Sequence, residues 1–160
     1  MHDIVSPETR SRMMSGIKGK NTKPEMLVRK GLFRRGFRFR LHSKKLPGKP
    51  DLVLARYHAV IFVHGCFWHR HSCRLFKWPR NNAAFWRDKI MGNVRRDERH
   101  YQQLADIGWR IMIVWECAMK EKKEQEVEKV LDNIEHWLLT DNHSGEISEG
   151  SVNGIGSGDL

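Results

Sequence analysis

Two cysteines and three histidines fall within ten residues, His64-Gly65-Cys66-Phe67-Trp68-His69-Arg70-His71-Ser72-Cys73, directly after an apolar, β-branched run. Thiolate and imidazole are the ligands zinc prefers, and Cys66, His71 and Cys73 stand close enough along the chain to wrap one tetrahedral ion. A fourth ligand must come from farther on. Cys117, the remaining cysteine, lies just beyond a second apolar run that ends at Trp115. Cys66, His71, Cys73 and Cys117 therefore read as a closed, structural zinc site, stabilising a loop too polar to fold by its own contacts. The competing reading is three buried free thiols with surface histidines beside them.

That set leaves His64 and His69 available as acid, base or phosphate contacts, because imidazole titrates near neutrality and suits proton abstraction from water. Asp51 opens an apolar run directly after Pro47-Gly48-Lys49-Pro50, where a strand start meets solvent at a sheet edge. Magnesium keeps most of its waters and needs only one or two protein oxygens, so one aspartate with a main-chain carbonyl suffices to hold it. Taken alone, an aspartate at a strand start is more often an ordinary turn residue.

The elements that must position these groups follow from the apolar periodicity. Ser6-Pro7-Glu8 caps a short helix bearing Met13, Met14 and Ile17, which Gly19 ends. Thr22-Lys23-Pro24-Glu25 has the spacing of a capping box and opens a second helix to about Gly36. Alternation predicts a strand over Phe37–Leu41, and Asp51–Leu54 with Ala59–Val63 predicts a hairpin. A long helix starts at Asn81 and runs through Phe85, Trp86, Ile90, Val94, Tyr101 and Leu104 to just before Gly108. A buried strand follows over Arg110–Trp115, then an amphipathic helix marked by Val127, Val130, Leu131, Ile134, Trp137 and Leu138. The order α, α, β, β, β, α, β, α predicts a mixed α/β sandwich.

At 160 residues and 39% hydrophobic content the chain suits one domain, expected over residues 1–140. The formal net charge is +10, and residues 141–160 contain four acids and no lysine or arginine, so residues 1–140 carry +14. Such an excess favours a polyanion, and nucleic acid leads because no apolar run spans a bilayer and no basic amphipathic helix is evident. The Gly/Ser-rich acidic tail over 141–160 is expected to be disordered. The N-terminus lacks the layout of a secretory signal, which predicts a cytoplasmic protein with reduced cysteines.

Pro50-Asp51 before an apolar strand resembles the first half of the Pro-Asp…acid-x-Lys signature of restriction-endonuclease-like nucleases. Where the second half belongs, this chain has Phe62-Val63-His64 and the Cys/His loop. That departure, with Leu46-Pro47-Gly48-Lys49-Pro50-Asp51, Val60 to His69, Phe85-Trp86 through Asn93 to Asp97, and Gly108-Trp109-Arg110 to Cys117, resembles the very short patch repair endonucleases over roughly residues 6–138.

The resemblance implies a restriction-endonuclease-like α/β/α sandwich with a central mixed sheet and a structural zinc loop. It implies hydrolysis of one strand of double-stranded DNA on the 5′ side of the T in a T:G mismatch, left by deamination of 5-methylcytosine. Asp51 and the Val63 carbonyl would bind magnesium, and His69, oriented by Asp97, would activate water. Glu25 would act on the metal site through water, and His64 would contact the scissile phosphate. Phe67, Trp68 and Trp86 would wedge beside the mismatch, with Met14, on a DNA-contacting helix over residues 1–20, pressing from the minor groove. Lys89 and Asn93 would read base edges or phosphates. The enzyme is expected to act as a monomer at the bacterial nucleoid, with mismatch-repair proteins as candidate partners. Two rivals stand: a nuclease of the same fold that cuts fully paired DNA, and a zinc-stabilised DNA-binding module without catalysis.

Overall fold

In a computed structural model that describes residues 21–151, five strands form one sheet in sequence order. The strands are β1 (Arg40–Leu41), β2 (Leu52–Leu54), β3 (Ala59–His64), β4 (Arg110–Trp115) and β5 (Gly145–Ile147). β1, β2 and β3 pair antiparallel, whereas β3, β4 and β5 pair parallel. The helices are α1 (Lys23–Arg34), α2 (Ala83–Asp106) and α3 (Glu124–Leu139). α2 and α3 form the crossovers that parallel pairing demands. The helix expected near residues 6–19, with Met14, lies outside the described residues.

Both faces of the sheet are covered, which explains why β2, β3 and β4 read as continuous apolar runs. On one face Leu52, Leu54, Ala59, Ile61, Met112, Val114 and Ile147 pack with Val28 and Leu32 of α1 and with the apolar stripe of α3. On the other, Val53, Val60, Phe62 and Ile111 pack with Leu104 and Tyr101 of α2. Arg35 ties α1 to α3 through Glu128, Asp132 and Glu135, at 2.7–2.8 Å.

Three local expectations need correction. β1 begins at Arg40 rather than Phe37 because the end of α1 claims the preceding residues. Gly36, with φ +94°, follows the last turn, and the N–H groups of Gly36 and Phe37 return to the carbonyls of Phe33 and Leu32. This paired closure, helped by a residue that tolerates positive φ, ends the helix and delays the strand. Asn82, not Asn81, precedes α2, and it adopts φ 57° without a side-chain capping bond.

The third correction concerns the tail, which is not structureless from residue 141. Arg110 gathers the carbonyls of Trp137, Leu138, Thr140 and Asn142, fixing the chain as it leaves α3. Gly145–Ile147 then adds to β4 with Ile147 buried, and Trp115 donates its indole N–H to Glu146 at 2.7 Å. Glu149 pairs with Arg74 and Lys122. All these partners are distant in sequence, so the local composition carries no sign of them.

Candidate active site

Asp51 is delivered by a tight turn. Gly48 and Lys49 both adopt positive φ, at 79° and 49°, and a Cβ at Gly48 would lie 3.0 Å from His100. Once past the turn, Asp51 accepts the Val63 backbone N–H at 2.7 Å. In a strand the N–H and C=O of one residue point to the same flank. Continuing the register that pairs Leu52 with Ile61 sets Pro50 opposite Val63, and proline has no N–H to donate to the Val63 carbonyl. The Pro-Asp pair thus turns a carboxylate toward that flank, where Pro50 offers the Val63 carbonyl no N–H.

Glu25 joins Asp51 from α1. Thr22 caps that helix, accepting the Glu25 N–H at 3.4 Å, but the expected box does not close. Glu25 bonds instead to the N–H of Asn21 at 2.9 Å and to His42 Nε2 at 2.6 Å. Ligand atoms of Glu25, His42 and Asp51 lie within 4.8 Å of one another. Among the described residues the basic side chain within 4.0 Å of the Asp51 carboxylate is His42, at 3.9 Å. Burial, opposed by the Val63 hydrogen bond and reinforced by Glu25, pushes the Asp51 carboxyl from its ordinary 3.8 up to about 7. Buried Glu25, with Arg29 at 3.5 Å and His42 at 2.6 Å, and half-buried Asp51 place two carboxylates side by side, an arrangement that fits a divalent cation.

Across the same groove, of about 990 Å³, stand the histidines. His64 ends β3 and His69 sits in the loop that follows. Their rings stack at 3.7 Å, and His69 Nδ1 meets Asp97 Oδ2 at 2.5 Å. Asp97 thereby favours the tautomer with the proton on Nδ1 and leaves Nε2 as the basic atom. Burial, with His69 beside it, holds the His64 imidazole well below its ordinary 6.5, so the ring is neutral. Tyr101 bonds His64 Nε2 at 2.6 Å, and burial raises its hydroxyl, which stays a phenol. In the sequence pattern Tyr101 served only as a marker of the long helix. The signal was that Asn93, Asp97 and Tyr101 recur every four residues and share one face of α2.

The aromatic residues divide. Phe67 and Trp86 are half-buried with centroids 5.7 Å apart, whereas Trp68, 8% exposed, lies against both. Trp68 therefore supports the other two in the DNA-free protein. Asn93 also differs from expectation: it is buried, donates to the Trp68 carbonyl at 3.0 Å and accepts from Arg96 at 3.0 Å. Its amide braces the loop from within. Lys89 is exposed, and Lys23, Lys49, Arg96 and Lys120 border the groove.

Cys66, His71, Cys73 and Cys117 converge with all four ligand atoms within 4.8 Å of one another. Zinc bonds of about 2.3 Å to sulfur and 2.0 Å to nitrogen at a tetrahedral angle would set sulfur and nitrogen about 3.5 Å apart. His71 Nδ1 lies 3.6 Å from Cys66 Sγ and 3.5 Å from Cys117 Sγ. Hydrogen bonding between the two thiols lowers Cys117 and raises Cys66. The N–H groups of Leu75 and Glu149 approach Cys73 and Cys117 sulfur, each at 3.4 Å. The donor set and its spacing fit zinc, and Trp115, stacked on His71 at 4.2 Å, orients the ring.

Residues 2–75 match the family model described as DNA mismatch endonuclease Vsr. The chain is 40% identical over 147 residues to the DNA mismatch endonuclease Vsr of Escherichia coli K12, covering 92% of this chain and 94% of that one. It is 48% identical over 122 residues to a type II nicking enzyme of Neisseria meningitidis serogroup A, covering 76% and 87% of the two chains. A type II nicking enzyme of Xanthomonas oryzae is 46% identical over 121 residues, covering 76% and 89%. Identity at this level over nearly the whole length leaves one conclusion: the chain belongs to the Vsr family of DNA mismatch endonucleases.

Proposed function

We propose that this protein is a magnesium-dependent, restriction-endonuclease-like enzyme that nicks one strand of double-stranded DNA 5′ to the T of a T:G mismatch, the first step of very short patch repair. The observation that carries the reading is the His69–Asp97 pair facing the same groove as Asp51. Paired in this way, His69 takes the proton of the attacking water on Nε2 while Asp97 stabilises the imidazolium that results. Asp51 and the Val63 carbonyl are the groups that hold magnesium, whose charge neutralises the scissile phosphate. Glu25 supports that site, and neutral His64 contacts the phosphate without adding a second charge beside His69. Zinc at Cys66, His71, Cys73 and Cys117 anchors the loop that presents Phe67, Trp68 and His69.

Mismatch choice follows from the aromatic cluster. Phe67 and Trp86, backed by Trp68, are placed to enter the base stack, and a mispaired step costs less to open than a paired one. Lys89 and the cations along the groove supply phosphate contacts. The relatives named as nicking enzymes favour single-strand cleavage over a restriction-type double-strand cut. Asp51→Ala is expected to keep mismatch binding in a mobility-shift assay and to abolish nicking, and His69→Ala to slow nicking by about 10²–10⁴. Undiminished nicking by either variant contradicts the assignment.

A further inference from the structure

His42 has no part in the mechanism above, yet three observations converge on it. It follows β1, its backbone N–H donates to the Asp51 carbonyl at 3.0 Å, and so it sits directly across the strand pair from Asp51. Its φ is 46°, the left-handed region, which a histidine enters at a cost and which persists where the surroundings over-determine it. Its Nε2 lies 2.6 Å from Glu25 Oε2 and 3.9 Å from Asp51 Oδ1, so one ring nitrogen addresses both carboxylates.

Glu25 needs such a partner. Its side chain is 2% exposed; Oε1 is taken by the Asn21 N–H at 2.9 Å, and the other donor to Oε2, Arg29, stands off at 3.5 Å. We propose that His42 is a positioning residue for the magnesium site: its Nε2–H fixes Glu25 Oε2 and thereby sets the carboxylate beside Asp51. Hydrogen bonds to the carboxylates around a metal orient them, and their loss typically weakens metal binding by about 10–100-fold. This inference rests on the reading of Asp51 as a magnesium ligand.

The test uses the geometry of amide substitutes. A glutamine amide nitrogen falls near the position of imidazole Nε2, whereas an asparagine amide falls near Nδ1 and stops short of Glu25. Asparagine also tolerates positive φ, so His42→Asn suits the backbone. Manganese binding to the full-length protein on a T:G duplex made uncleavable at the scissile phosphate is followed by the electron paramagnetic resonance of the free ion.

His42→Asn should bind about tenfold more weakly, His42→Gln should stay within about threefold of the unaltered protein, and His42→Asn should add no further loss in a Glu25→Ala background. His42→Ala gives the same loss should the asparagine variant misfold. A residue needed only for folding would not separate Gln from Asn in this way. Asp51→Ala is the reference: if it abolishes binding while His42→Asn and His42→Ala bind normally, the proposal is overturned and the magnesium reading stands. Binding unaffected by Asp51→Ala would overturn both.

Discussion

At the scale of residues, Asp51 makes the site sensitive to pH. A carboxyl raised to about 7 in the fold, from 3.8, favours the protonated folded state. The stability this contributes is complete below 3.8 and is lost as pH rises through about 7. Magnesium held by Asp51 as proposed would compete with that proton, so its affinity should fall about tenfold for each unit of pH below 7 and level off above it. Titration of the protein with magnesium at roughly pH 5 and pH 8 checks this, and Asp51→Asn should abolish the dependence along with tight binding. Equal affinity at both values would contradict it.

His69 and the cysteine set stood out because Cys and His are rare at such density, and Asp51 because Pro50-Asp51 opens an apolar run. His42 and Tyr101 did not. His42 becomes relevant only through the register that sets β1 against β2, and Tyr101 only because α2 packs beneath His64. The bracing role of Asn93 was not legible either: it emerges only once the helix sets the amide against the Trp68 carbonyl, while the residue still lines the groove.

At the scale of elements, β2, β3, β4 and α3 were readable from β-branched runs and helical periodicity, which packing on both sheet faces reinforces. β1 was readable as a strand but not where it starts, and β5 was not readable at all, since these depend on distant or neighbouring contacts: the closure of α1 through Gly36 and Phe37, and the edge that β4 offers to Gly145–Ile147. β5 therefore gives a discriminating test. Ile147 is 4% exposed, and Ile147→Ala should cost about 2–5 kcal/mol in urea denaturation, where a residue in an unstructured tail would cost nothing.

The loop that carries Cys66, His71 and Cys73 is the second element to test. One equivalent of zinc should survive gel filtration, and stripping it should lower the melting temperature and abolish nicking together, because His69 hangs from the same loop as Cys66 and His71. A fully folded, zinc-free protein would remove the site.

At the scale of the whole molecule, the +14 carried by residues 1–140 and the groove bordered by Lys23, Lys49, Arg96 and Lys120 describe a surface built for a polyanion. No helix among the described residues is long and apolar enough to cross a membrane. Charge explains attraction to any DNA, so under the proposed function the choice of a mismatch falls to the aromatic cluster and the nick to the residues around Asp51 and His69. The measurement that joins the two is cleavage of end-labelled duplexes, one fully paired and one with a T:G mismatch in several sequence contexts, with magnesium and with chelator. The expected result is a nick in the T strand alone, 5′ to the mismatched T, only with magnesium. Cleavage of the paired duplex, or tight mismatch binding without cleavage in any context, would contradict it.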